Sequence, residues 1–375
     1  MKDYILIFSA HVNNWGAERS TCSLCEHLKS QGYNVLVIIP RIGEITELLD
    51  NIKVEYLIFP FDLWWGSRKW KFHHLIKLYI RQKIRVHRLN QIFNKKKIHP
   101  VLAYSSTVTF GFGIMVAKSL QLTHIQHIRE NIDAFGNIFL FGYDNTMNYI
   151  NKNSSAVICT SELLKARYAS DIDASKLYSI YNGIPNIDML PAKKHSGKLR
   201  LVQVGRFMND KRIFDSIESI RLLAEKGCRN LSLDIFGKGE EESAYRNLIT
   251  NYHLEDVISI KGYCDNIDYS QYDVGLMTST FEAFGRATVE YMNYGLAVIA
   301  SDSGANPEIV KDGITGLLYK VHEPQALAEA ILKLYENMNM AKAMGQAGKA
   351  RFIENFTQEQ YVTRVGNLIT SFISH

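Results

Sequence analysis

The stretch LRLVQVGRFMNDKRIFDSIESIRLLA (residues 199–224) contains the structural unit that the rest of the chain repeats. Four of its first six residues are apolar, as in a strand buried in a parallel sheet, and Gly205 ends this segment. From residue 213 onward, the apolar residues recur with the 3.6-residue period of a helix. The stretch therefore predicts a strand followed by a helix, as in a doubly wound α/β sheet.

The same alternation of apolar strands and helical patterns continues along the chain. In the first half we predict strands at 4–8, 35–39, 54–59, 101–103, 124–127, 156–159 and 177–180, and helices at 17–29, 75–93 and 145–150. In the second half we predict further strands at 231–236, 257–260, 272–276, 297–300 and 316–319. Helices are expected there at 213–224, 244–250 and 284–294, and throughout the last 40 residues.

A polar stretch, residues 186–198, follows Pro185 and interrupts the alternation, so we interpret it as a linker. With 375 residues, the chain suits two domains of ordinary size. The predicted fold class is α/β, with two doubly wound Rossmann-like domains (1–185 and 186–355). Their cleft would face the carboxyl ends of both sheets, where such folds bind ligands. The helix expected over 356–375 either stays with the second domain or crosses back to the first.

The composition narrows the class of protein. Hydrophobic residues make up 46% of the chain and charged residues 22%, as in globular rather than disordered proteins. No apolar run approaches the roughly 20 residues that span a bilayer, and the run at 4–8 is too short for a signal peptide. The five cysteines are scattered, without the spacing of a zinc site. We therefore expect a cytoplasmic protein without a metal site.

The segment from Leu63 to Arg129 contains 13 lysines and arginines and no aspartate or glutamate. Three tryptophans (Trp64, Trp65 and Trp70) lie beside these cations. Such a surface suits anionic lipid, and residues 64–97 are predicted to contact the inner face of the cell membrane as a peripheral protein does. The alternative is a solvated helix with the tryptophans in the core. No nucleic-acid-binding motif accompanies the segment, so nucleic acid is not an expected partner.

Residues 279–290, STFEAFGRATVE, follow a predicted strand and open a predicted helix. The N-terminus of a helix offers unpaired N–H groups and a positive dipole end, which both suit phosphate. Glu282 and Glu290 lie eight positions apart, so their carboxylates can reach different hydroxyl pairs of one extended ligand. The alternative is an amphipathic helix with solvated glutamates and an ordinary helix cap.

Two cations, Arg206 and Lys211, follow the glycine that ends the strand at 199–204. Gly205 would let the backbone approach a ligand closely, and the two cations could neutralise a diphosphate leaving group. Such a pair alone is more often surface charge. Beside the glutamate motif, we favour the diphosphate role.

Together these segments resemble the retaining GT-B glycosyltransferases with an E-x7-E motif, known as glycosyltransferase family 4, group 1. Glu282, Phe284, Gly285 and Glu290 stand at the positions of that motif, and segments 295–310 and 312–318 resemble the ones that follow it. The resemblance implies transfer of a hexose-type sugar from a nucleotide-diphosphate sugar to a lipid-linked or polysaccharide acceptor. It also implies retention of configuration, and no metal or other cofactor.

The resemblance further implies a role for individual residues. These roles are ribose binding by Glu290, diphosphate binding by Arg206 and Lys211, and sugar binding by Glu282 and the backbone of Phe284 and Gly285. The remaining implied site residues are Gly16, Gly205, Gly237 and Lys238 near the nucleotide, Tyr263 at the base pocket, and His127 against the transferred sugar. His124, deeper in the same strand, is expected to be an ordinary core histidine.

The sequence departs from the family pattern at two positions. Trp15 stands where the family usually has the first of two adjacent glycines, which puts phosphate contact by the loop before Gly16 in doubt. Arg212 stands where the family has a glycine after the lysine. The alternative functions are a GT-B phosphorylase, a nucleotide-sugar epimerase and a non-catalytic, membrane-associated scaffold.

Overall fold

The computed structural model describes residues 2–13, 16–66, 72–132, 138–187 and 197–373. The chain forms two compact units, of which the first comprises Met1–Gly183 with Gln358–His375 and the second Ile184–Thr357. The predicted domain boundary lies two residues later, after residue 185. The C-terminal helix belongs to the first unit, which was one of its two predicted positions. Most of the predicted linker, residues 188–196, lies outside the described residues.

The first unit is built on a parallel sheet of seven strands, with a separate two-stranded ribbon. The strands are β1 (Lys2–Phe8), β2 (Asn34–Ile39), β3 (Glu55–Ile58), β4 (Trp65–Gly66), β5 (Ile98–Ser105), β6 (Thr123–Ile128), β7 (Ile138–Phe139), β8 (Ala156–Cys159) and β9 (Leu177–Ser179). Their order across the sheet is β3-β2-β1-β5-β6-β8-β9, whereas β4 pairs with β7 in the antiparallel ribbon.

Helices cover both faces of this sheet, as its continuous apolar strands predict. They are α1 (Gly16–Ser30), α2 (Glu44–Asn51), α3 (Phe72–Lys96), α4 (Phe112–Leu120), α5 (Tyr143–Asn153), α6 (Glu162–Tyr168) and, from the end of the chain, α13 (Gln358–Ser371). Alternate residues of β1 enter different cores: Ile5 and Ile7 pack with α1 and α13, whereas Leu6 and Phe8 pack with α3 and α4. The first core is therefore incomplete without the C-terminal helix.

The second unit has a six-stranded parallel sheet. Its strands are β10 (Leu199–Val204), β11 (Leu231–Phe236), β12 (Ile258–Gly262), β13 (Val274–Met277), β14 (Ala297–Ser301) and β15 (Gly316–Tyr319). Its helices are α7 (Ile213–Glu225), α8 (Glu242–Asn251), α9 (Arg286–Asn293), α10 (Asn306–Ile309), α11 (Pro324–Glu336) and α12 (Met338–Asn355). The strand order is β12-β11-β10-β13-β14-β15.

Each sheet has one point at which the strand order reverses. In the first unit it lies between β1 and β5, and in the second between β10 and β13. At such a point the loops leaving the two strands run to opposite sides and open a crevice at the carboxyl edge, where open α/β sheets bind ligands. The loops after β10 and β13 carry the predicted cations and the first glutamate, so the topology gives those residues a common location.

The predicted α/β fold class with two Rossmann-like domains is confirmed. Helices α2, α4, α6, α10 and α11 and the β4–β7 ribbon were not predicted. Most of these elements are short and show too little periodicity. The prediction of unbroken helix over the last 40 residues was wrong, since Phe356 and Thr357 separate α12 from α13. The cleft between the two domains stays a prediction.

His124 is an ordinary core histidine, as expected. It is fully buried in β6, with Nε2 2.9 Å from Oγ of Ser105 and Nδ1 2.9 Å from Oγ of Ser154. Both ring nitrogens therefore have partners. Burial lowers the pKa of His124 to about 3, because the charged ring would lose its hydration.

We expect acid to destabilise the first unit through His124. The unfolded chain binds a proton at the ordinary pKa of 6.5 and the folded chain only near 3, so stability is complete above pH 6.5 and is lost as the pH falls towards 3. The slope is about 1.4 kcal/mol per pH unit. Urea unfolding at about pH 6.5 and about pH 5 measures it. His124→Asn should lose less stability on acidification than the wild type.

The control is His87→Asn, because His87 is exposed on α3. It should lose as much stability on acidification as the wild type. A His124→Asn variant with the full wild-type loss would contradict the assignment of this pH dependence to His124.

Candidate functional site

Hydrogen bonds join the loops that follow β10 and β13. The backbone N–H of Thr280 donates to the carbonyl of Asp210 at 2.8 Å, and the Thr278 hydroxyl donates to the carbonyl of Lys211 at 2.7 Å. In turn, the side-chain amide of Gln203, in β10, donates to the Thr278 hydroxyl at 2.6 Å. The loops are thus fixed against each other at the point where the strand order reverses.

Lys211 and Glu282 meet at this junction. The Nζ atom of Lys211 lies 2.7 Å from Oε1 of Glu282, and the Ser279 hydroxyl donates to the same oxygen at 2.7 Å. The two charged side chains are 19% and 18% exposed, so each keeps a small open surface. The structure therefore brings together one of the predicted diphosphate-binding cations and the predicted sugar-binding carboxylate.

Arg206 and Arg212 occupy different environments in the loop after β10. Arg206 is exposed. Arg212 has a left-handed backbone (φ +52°), and its guanidinium forms a bidentate ion pair with the buried carboxylate of Asp215, at 3.0 and 2.6 Å. A left-handed backbone favours glycine, which explains why the family has glycine here. The ion pair with Asp215 offsets part of the backbone cost in this chain.

Glu290 lies on α9, where two groups orient its carboxylate. Nε of Arg286 lies 3.0 Å from one oxygen, and the hydroxyl of Tyr269 donates to the other at 3.2 Å. Burial, and then the charge of Glu290, raise the pKa of Tyr269 far above its ordinary value, so this phenol remains a donor. Sequence reasoning missed Tyr269, because it comes from a separate segment with no motif of its own.

The helix that carries Glu290 begins later than predicted. We expected it from residue 284, but Gly285 has a left-handed backbone (φ +78°) and α9 starts at Arg286. Phe284 is buried, and its ring meets that of Phe356 edge-on at 6.1 Å. The side chain of Phe284 therefore belongs to the core, and the role of the Phe284 and Gly285 backbone in ligand binding stays a prediction.

Gly304 is a second residue that sequence reasoning missed. A Cβ atom at this position would lie 2.4 Å from the backbone nitrogen of Glu282, so no side chain fits there. The backbone N–H of Ala305 donates to the carbonyl of Glu282 at 2.8 Å. The loop after β14 thus packs closely against the backbone of Glu282 and donates a hydrogen bond to it.

The glycine-rich loop after β11 packs against the loop after β10. A Cβ at Gly237 (φ +153°) would lie 1.9 Å from the carbonyl oxygen of Gly205. Beside it, Nζ of Lys238 lies 4.5 Å from the centre of the Tyr263 ring, in a cation–π contact. Both of these side chains are exposed. Three of the predicted nucleotide-side residues and Gly205 therefore lie in one neighbourhood.

In the first unit, His127 lies at the carboxyl end of β6 and is fully buried. Its Nδ1 is 2.5 Å from the hydroxyl of Tyr104. Burial, and then the nearby charge of Arg129, lower the pKa of His127 well below its ordinary value, so the ring is neutral at neutral pH. Gly16 is the first residue of α1, and the preceding Asn14 and Trp15 lie outside the described residues.

The structure revises part of the predicted membrane segment, residues 64–97. Trp64 is buried, donates from Nε1 to the carbonyl of Val108 at 2.6 Å and packs edge-on against Phe139. Trp64 is therefore a core residue, as the alternative interpretation of this segment expected, and it is not part of a membrane surface. Trp70 falls within residues 67–71, which lie outside the described part of the chain.

Within the described ranges, no three His, Cys, Asp or Glu side chains are grouped as ligands of a metal ion would be. Among the described helices, none combines the length and the apolar character of a membrane span.

Known proteins match both units of the chain. The family described as "Glycosyl transferases group 1" matches residues 188–351, and "Glycosyltransferase Family 4" matches residues 16–186. N-acetyl-alpha-D-glucosaminyl L-malate synthase of Bacillus anthracis is 24% identical over 278 residues, which cover 71% of this chain and 70% of that protein.

A second relative is longer than this chain. The GtfA subunit of the UDP-N-acetylglucosamine–peptide N-acetylglucosaminyltransferase of Streptococcus pneumoniae is 28% identical over 68% of this chain, and the match spans 54% of that protein. Among solved structures, Anabaena Alr3699/HepE in complex with UDP and glucose superposes with a TM-score of 0.77 at 19% identity. That match covers 98% of this chain and 99% of the other.

We expect Gly237→Ala to destabilise the second unit more than Gly227→Ala. Both glycines have a left-handed backbone, but a Cβ at Gly227 meets nothing within 4 Å, whereas one at Gly237 overlaps the Gly205 carbonyl. Gly227→Ala should cost about 1–2 kcal/mol of unfolding free energy for the backbone alone, and Gly237→Ala should cost more. Urea unfolding measures both. Equal costs would contradict the close contact between the two loops.

Proposed function

Because the chain belongs to the group 1 glycosyltransferases of family 4 and is a glycosyltransferase enzyme, we propose that it moves a hexose-type sugar from a nucleotide-diphosphate sugar to a lipid-linked or polysaccharide acceptor. The bond between the sugar C1 and the diphosphate oxygen breaks, and a bond from C1 to an acceptor hydroxyl oxygen forms. The hydroxyl proton passes to an oxygen of the departing diphosphate, and the anomeric configuration is retained. The observation that carries the proposal is the Lys211–Glu282 pair at the reversal of strand order.

The main electrostatic task of the site is to stabilise the departing diphosphate. Negative charge develops on that group as the bond to the sugar breaks, and fixed cations around it lower the barrier. Lys211 and Arg206 would supply this charge. Lys211 is held in place by Glu282, at 2.7 Å, and the side chain of Arg206 is exposed in the same loop. We propose that these cations replace a divalent metal.

The carboxylates would bind the two ends of the donor. Glu290, oriented by Arg286 and Tyr269, would accept hydrogen bonds from the ribose hydroxyls. Glu282 would accept them from the sugar, with the backbone of Phe284 and Gly285. A carboxylate accepts only, so hydroxyl-rich ligands suit both positions. Lys238 and Tyr263 would lie on the nucleotide side.

A binding experiment can identify the base and the sugar of the nucleotide-sugar donor. The relative of Streptococcus pneumoniae is named for UDP-N-acetylglucosamine, and the chain is 28% identical to it over 275 residues. We propose uridine diphosphate sugars as the first donors to test. A ligand that binds only the folded state raises the unfolding temperature, so a thermal screen across nucleotide-sugars identifies the donor.

With that donor, we expect Arg206→Ala and Lys211→Ala each to lower kcat by about 100-fold or more, since one lost stabiliser of developing negative charge costs about 10²–10³. Glu290→Ala should likewise lose most turnover, through the ribose. Release of nucleoside diphosphate measures the rates. The matched control is Arg246→Ala, an exposed arginine of α8 paired with Glu242, which should keep wild-type turnover. Unchanged rates in both cation variants would refute the site.

The same assay tests the two finer parts of the proposal. Transfer that persists at full rate in excess EDTA supports the metal-independent reaction, and loss of transfer that Mg²⁺ or Mn²⁺ restores overturns it. Proton NMR of the first product shows the anomeric configuration, which should equal that of the donor.

The outer face of α3 suggests where the enzyme works. This helix buries one stripe (Leu78, Gln82, Val86, Leu89 and Phe93) against the first unit. A second apolar stripe faces solvent, and its members are 43–77% exposed: Phe72, Ile76, Tyr79, Ile80 and Ile84. Four of the five follow a four-residue spacing, so they lie on one side of the helix. An exposed apolar patch of this kind marks an interaction surface.

Positive charge surrounds this stripe. Lys77, Lys83 and Arg88 are exposed beside it, and α3 contains no aspartate or glutamate. Apolar side chains with flanking cations match an anionic bilayer surface, where each cation contributes about 1 kcal/mol. We propose that this face of α3 binds the inner face of the cell membrane and brings the enzyme to a lipid-linked acceptor.

We expect the protein to sediment with vesicles that contain phosphatidylglycerol and not with pure phosphatidylcholine. Ile80→Gln with Ile84→Gln should reduce this binding by about tenfold, since each change removes apolar area from the contact. The matched control is Ile314→Gln with Ile353→Gln, two isoleucines of the second unit that are 63% and 49% exposed. Equal loss in both double variants, or equal binding to both lipids, would contradict the proposal.

A further inference from the structure

His127 has one satisfied and one unsatisfied ring nitrogen. Nδ1 lies 2.5 Å from the hydroxyl of Tyr104, whereas Nε2 is buried and has no hydrogen-bond partner among the described residues. His124, three residues earlier, has partners on both nitrogens. A buried polar group left unpaired is unfavourable, because it has lost its hydration without gaining a hydrogen bond in the protein. Such a group needs an explanation, and a bound substrate oxygen would provide one.

The charge state of the ring limits the number of possible protonation states of Nε2. Burial and the charge of Arg129 lower the pKa of His127, so the imidazole is neutral and carries a single proton. Burial raises the pKa of Tyr104 far above its ordinary value, so its phenol keeps its proton as well. Two arrangements remain: Tyr104 donates to Nδ1, with the ring proton on Nε2, or Nδ1–H donates to Tyr104, with Nε2 bare.

Arg129 and Tyr361 favour the first arrangement. Nη2 of Arg129 donates to the hydroxyl of Tyr361 at 2.8 Å, and Nε of Arg129 donates to the carbonyl of Ser106 at 3.0 Å. Because the hydroxyl of Tyr361 accepts a hydrogen bond from this cation, its own proton points elsewhere. The phenol of the neighbouring Tyr104 interacts with Tyr361. Arg129 also interacts directly with the hydroxyl of Tyr104. A fixed cation beside both hydroxyls turns their protons away from itself, and for Tyr104 this direction is towards His127.

We propose that Tyr104 is a positioning residue that donates to Nδ1 of His127 and thereby fixes the ring proton on Nε2, from which it is donated to an oxygen of the transferred sugar. The final donation to the sugar rests on the proposed function; the tautomer does not. Arg129 also donates to the hydroxyl of Tyr361 in α13, so the C-terminal helix takes part in setting the state of His127. A sugar oxygen that accepts, rather than a hydroxyl that must donate, is the partner that this tautomer selects.

The tautomer can be measured on the intact protein without any substrate. With ¹⁵N-labelled histidine, NMR distinguishes a protonated ring nitrogen from a bare one. We expect His127 to show a proton on Nε2 and none on Nδ1. Tyr104→Phe removes the donor and should shift the ring towards a mixture of tautomers. Tyr168→Phe, which removes another buried hydroxyl of the first unit, should change nothing. A proton on Nδ1 in the wild-type protein would overturn the proposal.

Kinetics test the consequence for transfer. Tyr104→Phe should lower kcat by about 10-fold and leave KM for the donor within about twofold. The expected loss is at the lower end of the effect of removing a group that orients a functional histidine. In a His127→Gln background, whose side-chain amide donates without a tautomer, Tyr104→Phe should add no further loss. Tyr168→Phe should keep the wild-type kcat.

The outcomes separate the two proposals. If transfer is observed and Tyr104→Phe retains full kcat, the positioning role is wrong although the proposed function stands. If no nucleotide-sugar supports transfer, the proposed function and the sugar contact fail together, and the NMR result alone decides whether Tyr104 sets the tautomer. Should Tyr104→Phe fail to fold, the wild-type NMR measurement still decides that point.

Discussion

The contact between Lys211 and Glu282 is the interaction on which the arrangement of the second unit's site depends. Removing one partner of a fully buried ion pair costs about 3–5 kcal/mol, and the exposure of about one-fifth at both side chains reduces this through solvent screening. The pair joins the segment after β10 to the segment after β13. A ligand phosphate near Lys211 would compete with Glu282 for the same ammonium group, so donor binding and the position of Glu282 are physically linked.

The backbone around this pair is confined by glycines. At Gly237 and Gly304 a Cβ atom would come within 2.4 Å or less of a neighbouring backbone atom. The loops after β10 and β11 therefore approach each other more closely than side chains would permit, and so do the loops after β13 and β14. Such packing holds polar groups at fixed separations before any ligand arrives, which is what electrostatic catalysis requires.

The sequence predicts the sheets well because buried parallel strands are continuous apolar runs, and residues 156–159, 199–204 and 231–236 match observed strands exactly in extent. The order of strands at the reversal point follows from general topology, and so does the meeting of Lys211 and Glu282. Contacts between distant segments are different. Nothing local in the sequence marks Tyr269 as a partner of Glu290, or Tyr104 and Tyr361 as neighbours of His127. The position of Trp64 stayed open at the sequence level for the same reason, since its partner Val108 lies 44 residues away.

Helix α13 completes the first unit although it comes last in the chain, because Tyr361, Val362, Val365 and Ile369 fill the core beside α1. During synthesis from the N-terminus, the second unit can therefore finish folding while the first still lacks one layer. The apolar residues of α1 and β1 that α13 covers stay unprotected until the residues of α13 have left the ribosome. A stop codon after residue 357 would thus damage the unit that was translated earliest and leave the later one whole.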